Sequence, residues 1–320
     1  MSAGKGESSL IVFLDRATLG ERVRMGRPDH PHRWRDYPAT RPEEVVDRLR
    51  GARVAVTNKV RIDAATLESL PDLRFIAIAA TGTDIIDVAA AASRGVQVRS
   101  VPGYGSVSVA EHVMMLMLAL ARALAPHRQA VLDGSWTRSG GFCFRAAQVM
   151  DLRGLRLGLV GSGSIALEVA RRAHAFEMDV VFAGRRGAIG GNGKLPFDEV
   201  LATSDVLSLH CPLVKDTHQL IDARAIGLMK PGAILINTAR GQLIDEAALA
   251  AGLDSGRIGG AGLDVAIVEP PPEGSLILDL ARRSNVIVTP HMAWTGDDTV
   301  QRLADRLVES IDRFLASETP

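Results

Sequence analysis

The sequence predicts an α/β protein of two domains, each a parallel sheet wound by helices. Three observations predict it. Leu155–Arg172 reads as a buried apolar strand, a turn Gly161-x-Gly163-x-x-Ala166, and an amphipathic helix. Strand candidates alternate with helical stretches over the first hundred residues, the rhythm of βα units around a parallel sheet. Six strand candidates then run through the second part of the chain, the number a doubly wound dinucleotide domain needs.

In chain order, residues 1–9 read as a loose tail and Leu10–Asp15 as a strand. Residues 16–42 hold Pro28, Pro31, Pro38 and Pro42 among charges and read as a long loop. Pro42–Arg50 and Asp63–Leu70 read as helices, Arg53–Asn58 and Arg74–Ala80 as strands. Asp84–Ser93 is an Ala-rich helix candidate, followed by a strand at Val96–Val101 and a turn cluster at 102–105 that marks a boundary. Ser108–Ala125 reads as one long helix, apolar on nearly every face and therefore buried in a core or against another subunit. Its methionines Met114, Met115 and Met117 read as packing residues. Residues 133–150 read as irregular. The six later strands are Leu157–Val160, Asp179–Ala183, Val206–His210, Ala233–Thr238, Gly260–Val265 and Asn285–Thr289. Asp297–Ser317 sets Val300, Leu303, Leu307, Ile311 and Phe314 along one face, an amphipathic closing helix.

Composition bounds the function. The 320 residues suffice for about two domains. Lys+Arg and Asp+Glu balance at 37 each, which argues against a nucleic-acid binder. Two distant cysteines, Cys143 and Cys211, make no disulfide framework, suit a reducing compartment and read as inert small apolar residues. The N-terminus has no signal-like apolar region, and the most apolar run, Val113–Ala121, is too short to span a bilayer. A soluble cytoplasmic protein without membrane or nucleic-acid partners is expected.

In the glycine turn, Gly161 permits the tight bend and Gly163 leaves room for a pyrophosphate. Ala166 lets the helix pack on the strand, and the helix N-terminus favours negative charge. The other polar residues of interest fall at strand ends. Arg240, Asp264, Glu269 and His291 all sit at or just past carboxyl ends of strands, which face the ligand crevice of an open parallel sheet. Arg presents a planar fork to a carboxylate, and His passes a proton near neutral pH. A carboxylate beside that His holds its tautomer and keeps it a donor. Such a set suits reduction of a 2-keto acid. Each residue also suits a structural role: Arg240-Gly241 as a turn, Asp264 as an acceptor for loop amides, Glu269 as a solvated charge before Pro270. No metal is expected. His210 and Cys211 are adjacent on a strand and point to opposite faces, while His30 and His32 lie in a loop without further ligands.

Eight segments in a fixed order carry a resemblance: Ala79–Asp84, Ser108–His112, Gly161–Ile165, Ser208–Leu213, Ile236–Gly241, Gly262–Val265, Glu269-Pro270 and Thr289–Trp294. Over nearly its whole length the chain resembles the D-isomer-specific 2-hydroxyacid dehydrogenases, and looks closest to their glycerate dehydrogenase/hydroxypyruvate reductase branch. The resemblance implies two Rossmann-like/flavodoxin-like domains with a cleft between them. Residues 1–104 with 295–320 would bind substrate, and 105–294 would bind the dinucleotide. It implies that Arg240 binds the substrate carboxylate and 2-oxygen, and that His291 is the acid/base oriented by Glu269. Backbone amides at Thr81 and Gly82 would hold the carboxylate from the other domain. Ser164 and Ile165 would contact the pyrophosphate. Thr238 and Asp264 would line the nicotinamide end, and His210, Cys211, Pro212, Ala239, Arg240 and His291 would also contact the cofactor. A homodimer built around the 108–125 helix is implied too. Side chains of the first domain's loops, Lys59 among them, would set the pocket, and Trp294 suits a pocket wall or core packing equally. Two other members of the fold remain as alternatives. One is a nicotinamide-sensing co-repressor, disfavoured by the lack of a basic patch. The other is a D-3-phosphoglycerate dehydrogenase, disfavoured because little chain follows the closing helix.

The chain departs from the family pattern at three places. Glu177 stands where a Gly is usual after the first helix of the dinucleotide domain, and Ala166 replaces the third Gly. The acidic residue expected at the end of the second strand, about twenty positions past the glycines, is absent. Gly184, Arg185 and Arg186 stand there instead. Losing the carboxylate and supplying arginines both favour NADP(H), since guanidinium groups hold a 2′-phosphate. NAD(H) stays usable if Arg185 stacks on adenine and Arg186 is only solvated.

Overall fold

The computed structural model describes residues 8–317, and the chain divides at Gly105/Ser106 and at Trp294/Thr295 into two units. The tail expected over 1–9 lies, through residue 7, outside the described residues.

The first unit runs β1 (Ser9–Phe13), β2 (His32–Asp36), α1 (Val45–Leu49), β3 (Val54–Thr57), α2 (Ala64–Glu68), β4 (Phe75–Ile78), α3 (Val88–Ser93) and β5 (Gln97–Ser100). Its five strands are all parallel, in the order β2-β1-β3-β4-β5. The central strands β3 and β4 are buried throughout, which is why they read as unbroken apolar runs. The stretch 16–42, expected to be a loop, contains β2. Its sequence His-Arg-Trp-Arg-Asp lacks apolar alternation because it pairs on one side only. Arg27 stacks over Trp34 at 4.4 Å. Asp63 and Asp87 cap α2 and α3 by accepting from Thr66 and Ala90 amides. That cap moves the start of α3 from the expected Asp84 to Val88. Asp15 is buried and accepts from the amides of Asn58 and Lys59. Burial raises its pKa despite these bonds. Thr81 and Gly82 follow β4 at the carboxyl edge of this sheet.

The closing helix α12 covers Asp297–Ser317, as its periodicity predicts, and belongs to this unit. Leu303, Leu307, Ile311 and Phe314 on its inner face are buried. Phe314 stacks on Phe75 of β4, centroids 4.6 Å apart, which adds roughly 1 kcal/mol to the area buried.

The second unit opens with α4 (Ser106–Ala121), α5 (Leu124–Leu132) and α6 (Ser135–Ser139). The single helix expected over 108–125 therefore ends at Ala121, and α5 departs at 60°. Pro126 is the cause: its ring would clash with the Arg122 carbonyl of a continuous helix and could not bond to it. The break runs through Ala123, at φ +48°. Met114 and Met117 are buried, but Met115 is 45% exposed, so not all three pack. The α6 turn lies in the stretch expected to be irregular. Cys143 is exposed beside Phe142. Among the described residues no single helix is long and apolar enough to cross a membrane.

Then come β6 (Arg156–Val160), α7 (Ser164–Ala175), β7 (Asp179–Ala183), β8 (Lys194–Leu195), α8 (Phe197–Thr203), β9 (Val206–Leu209), α9 (Ala223–Leu228), β10 (Ala233–Asn237), α10 (Glu246–Asp254), β11 (Ile258–Leu263), α11 (Leu276–Leu280) and β12 (Val286–Val288). The sheet is parallel with seven strands, one more than expected, in the order β12-β11-β10-β9-β6-β7-β8. The extra strand is β8, two residues pairing with Phe182 and Ala183, too short to leave a pattern. The order reverses between β6 and β9, the point at which open α/β sheets bind ligands.

Helix α7 ends in a Schellman cap: the Met178 amide donates to Ala173 O and the Glu177 amide to His174 O. The cap puts Glu177 at φ +56°, so the left-handed turn is kept without its usual glycine. A side chain there costs about 1–2 kcal/mol. The exposed ion pair of Glu177 with Arg153, 2.8 Å, returns less than about 1 kcal/mol. Glu177→Gly is therefore expected to raise the melting temperature by about 2–4 °C. A lowered melting temperature in calorimetry would contradict this account of the cap.

Candidate active site

Three adjacent strands of the second unit bring the chemistry to one edge. Asn237 of β10 is level with Leu263 of β11, and Leu263 with Val288 of β12. Arg240, Asp264 and His291 follow within three residues of that line, at the carboxyl ends. Parallel pairing is what places them together.

His291 and Glu269 are in contact, with Nδ1 2.6 Å from Oε2. The side chains are 27% and 37% exposed, so the pair is open on one side. The other Glu269 oxygen accepts from the Ala266 amide, 3.0 Å, which fixes the carboxylate. With Nδ1 turned to Glu269, Nε2 is the nitrogen left to exchange a proton. The His291 backbone sits at φ +51°, unusual for a side chain with Cβ and worth roughly 1–3 kcal/mol of strain. Its amide donates to Asp264 O, 2.8 Å, and its carbonyl accepts from the Trp294 indole, 3.0 Å. Trp294 thus braces the loop.

Arg240 leaves β10 through a turn built by Asn237, a buried residue that sequence reasoning did not single out. Its side-chain oxygen accepts from the Ala239 amide and its amide nitrogen donates to Arg240 O. Gly241 admits no side chain, because a Cβ would overlap the Ala266 backbone. The Arg240 loop therefore lies directly against the loop that leads to Glu269.

Asp264 is 1% exposed. Its carboxylate accepts from Thr289 Oγ1 at 2.5 Å and from the Met292 and Ala293 amides at 2.9 Å each. The structure thus makes it the anchor of the 289–293 segment.

The glycine turn lies at the switch in strand order. Gly161 adopts φ +110°, and a Cβ there would stand 2.6 Å from His210 O. Over Gly163 nothing lies within 4 Å of a Cβ position, so the first amides of α7 are open beside Ser164 and Ile165. Ser164 Oγ accepts from Ser106 Oγ, 2.8 Å. Thr238 Oγ1 is buried with no partner. An open helix N-terminus and an orphaned hydroxyl fit a dinucleotide: the first turn of α7 would hold its diphosphate, and Thr238 would bond a polar group of it.

His210, Cys211 and Pro212 follow β9, which ends at Leu209. His210 and Cys211 are therefore loop residues, not strand neighbours on opposite faces. His210 Nε2 lies 2.9 Å from Ser208 Oγ. Burial pushes His210 down to about 4 and the Cys211 thiol up to about 11, so both are neutral at pH 7. At the end of β7, Gly184 donates its amide to Leu195 O. Arg185 is exposed, and Arg186 is paired with Asp222 at 2.8 Å. Thr81 and Gly82 belong to the other unit.

Residues 114–293 match the family model described as D-isomer specific 2-hydroxyacid dehydrogenase, NAD binding domain. The chain belongs to the D-isomer-specific 2-hydroxyacid dehydrogenases. It is similar to a glycerate dehydrogenase of Methylorubrum extorquens, 44% identical over 96% of each chain. It is also similar to a hydroxypyruvate reductase of Blautia hydrogenotrophica, 34% identical over 85% of each. Among solved structures it resembles the D-lactate dehydrogenase of Aquifex aeolicus complexed with NAD and lactic acid. The TM-score is 0.79 at 28% identity, covering 97% of this chain and 96% of that one. The protein is thus an oxidoreductase acting on CH–OH donors with a nicotinamide cofactor.

Glu269→Gln keeps the shape but removes the carboxylate that holds His291 Nδ1 at 2.6 Å. This variant is expected to lower kcat for ketone reduction at least about tenfold with cofactor affinity little changed, and an unchanged kcat would mean that Glu269 does not act through His291.

Proposed function

We propose that the protein reduces hydroxypyruvate and glyoxylate at C2, giving D-glycerate and glycolate, with NADPH preferred over NADH. The observation that carries the reading is the Glu269–His291 pair on the strand ends that also bear Arg240 and Asp264. Arg240 holds the substrate carboxylate and polarises the 2-oxygen. His291 gives its Nε2 proton to that oxygen. Glu269 holds the ring in place through Nδ1. The bound nicotinamide supplies the hydride that C2 receives. Residues 105–294 hold the cofactor and residues 1–104 with 295–320 hold the substrate, with Thr81 and Gly82 amides on its carboxylate. A co-repressor that only senses the cofactor has no use for an acid/base pair held by a carboxylate.

Exposed Met115, Leu124, Val131, Leu132 and Phe142, on and after α4, support a homodimer through this region. Two free cysteines support a reducing compartment, the cytoplasm.

The cofactor preference rests on the end of β7. No carboxylate stands at Gly184 to repel a 2′-phosphate, and exposed Arg185 can reach one. Arg186 already commits a donor to Asp222 and contributes less. Hydroxypyruvate, glyoxylate, pyruvate and larger 2-keto acids, assayed with each cofactor, test the whole reading. The first two are expected to give the highest kcat/KM, and NADPH to exceed NADH. Equal or better use of NADH would overturn the cofactor assignment. Gly184→Asp with Arg185→Ser is expected to reverse the preference. A Cβ at 184 would stand 3.3 Å from Leu195 O, so the change asks only a small local shift.

A further inference from the structure

Helix α4 bears on the acid/base loop through side chains to which the family reading assigns no role. Strand β11 reads Ile-Gly-Gly-Ala-Gly-Leu, and its glycines let the helix lie directly on the sheet. A Cβ on Gly262 would come within 3.0 Å of Leu116, and one on Gly260 within 3.3 Å of Leu120. Leu120, Leu116, His112 and Ser108 are spaced by four and share one face of α4. The helix therefore runs back along β11 towards its carboxyl end, where Asp264 stands. There His112 Nε2 lies 2.9 Å from Thr289 Oγ1 and 3.4 Å from Asp264 Oδ1. One turn further, Ser108 Oγ donates to Ala293 O at 2.7 Å.

The hydrogen positions follow from the partners. Thr289 donates its only proton to Asp264, so its oxygen accepts from His112, whose hydrogen is on Nε2. Burial lowers the pKa of His112, partly offset by Asp264, which keeps the ring in this neutral, donating form. The 289–293 segment is thus clamped at both ends from α4 and at its middle by Asp264. Between the clamps lies His291, at φ +51°. Such a backbone persists only where its surroundings over-determine it.

We propose that His112, seconded by Ser108, is a positioning residue for the proton-transfer step, holding the 289–293 segment so that His291 meets Glu269 and the substrate oxygen. This rests on the reading of His291 as the acid/base. No direct contact of His112 with substrate or cofactor is invoked.

The test uses the full chain and four variants: His112→Phe, His112→Gln, Ser108→Ala and His291→Ala. Steady-state kinetics with hydroxypyruvate, cofactor binding by nicotinamide fluorescence and melting temperature are read for each. His112→Phe is expected to lower kcat about 10–100-fold, the range for loss of a supporting hydrogen bond or a small misplacement of a reacting group. KM and cofactor affinity are expected to stay within about threefold. His112→Gln, whose amide can still donate to Thr289, is expected to regain most of that kcat. A kcat within twofold of the parent in His112→Phe overturns the proposal, as does a His112→Gln that recovers nothing. Should His112→Phe fail to fold, Ser108→Ala decides: a several-fold loss of kcat at unchanged KM is expected, and an unchanged kcat overturns it. His291→Ala separates the two readings. Near-parental turnover there removes the acid/base assignment itself, whereas its collapse alongside an unaffected His112→Phe removes only the positioning role.

Discussion

His291→Ala is expected to lower kcat for 2-keto acid reduction by about 10²–10⁴, the span that positioned acid–base groups contribute. The size follows from the geometry. Glu269 fixes Nδ1 at 2.6 Å, so one nitrogen of one ring is presented, and alanine leaves water in its place. Cofactor affinity is expected to change little, because the diphosphate end of the fit lies at α7, on the other side of the sheet order from β12. Folding is expected to survive, since the 289–293 segment is held by bonds to Asp264 that do not involve the imidazole. Turnover near the parental rate would remove His291 from the mechanism.

Arg240→Lys is expected to raise KM for the keto acid about 10–100-fold and to lower kcat with it. A charged hydrogen bond contributes about 1.5–3 kcal/mol. Lysine offers a single flexible ammonium where arginine offers two parallel donors to a carboxylate. The turn is held chiefly by Asn237 and by the close packing at Gly241, with one guanidinium bond to Ala239 O at 2.8 Å that a lysine ammonium can also make, so the melting temperature is expected to stay within a few degrees. Unchanged KM and kcat would place Arg240 outside the site.

The elements legible in the sequence were those whose burial imposes a pattern. The central strands β3, β4, β6, β9 and β10 are buried almost throughout and show as apolar runs. Helix α12 has one buried face and shows a helical period. Strand β2 was illegible because an edge strand of polar residues has no such pattern, and β8 because two residues cannot have one. The break after α4 is a proline effect, readable in principle at Pro126, that the long apolar run concealed. The site divides in the same way. Strand-end polar residues, Arg240, Asp264 and His291, could be picked out because parallel sheets send their carboxyl ends to one edge. The supporting contacts could not. His112 meets Thr289 across 177 positions, and the Asn237 bridge is a local turn that no spacing rule announces. The anchoring role of Asp264 lay open in the sequence as one of two readings, and its three acceptor bonds fill the structural one.

The central claim is hydride transfer to C2 with a proton given to the 2-oxygen by the Arg240, Glu269 and His291 set. Its most direct test is product analysis after reduction of hydroxypyruvate with a nicotinamide cofactor carrying deuterium on the transferred face of C4. The account predicts D-glycerate with one deuterium at C2. L-Glycerate, label at any other carbon, or no oxidation of cofactor by any 2-keto acid would contradict it.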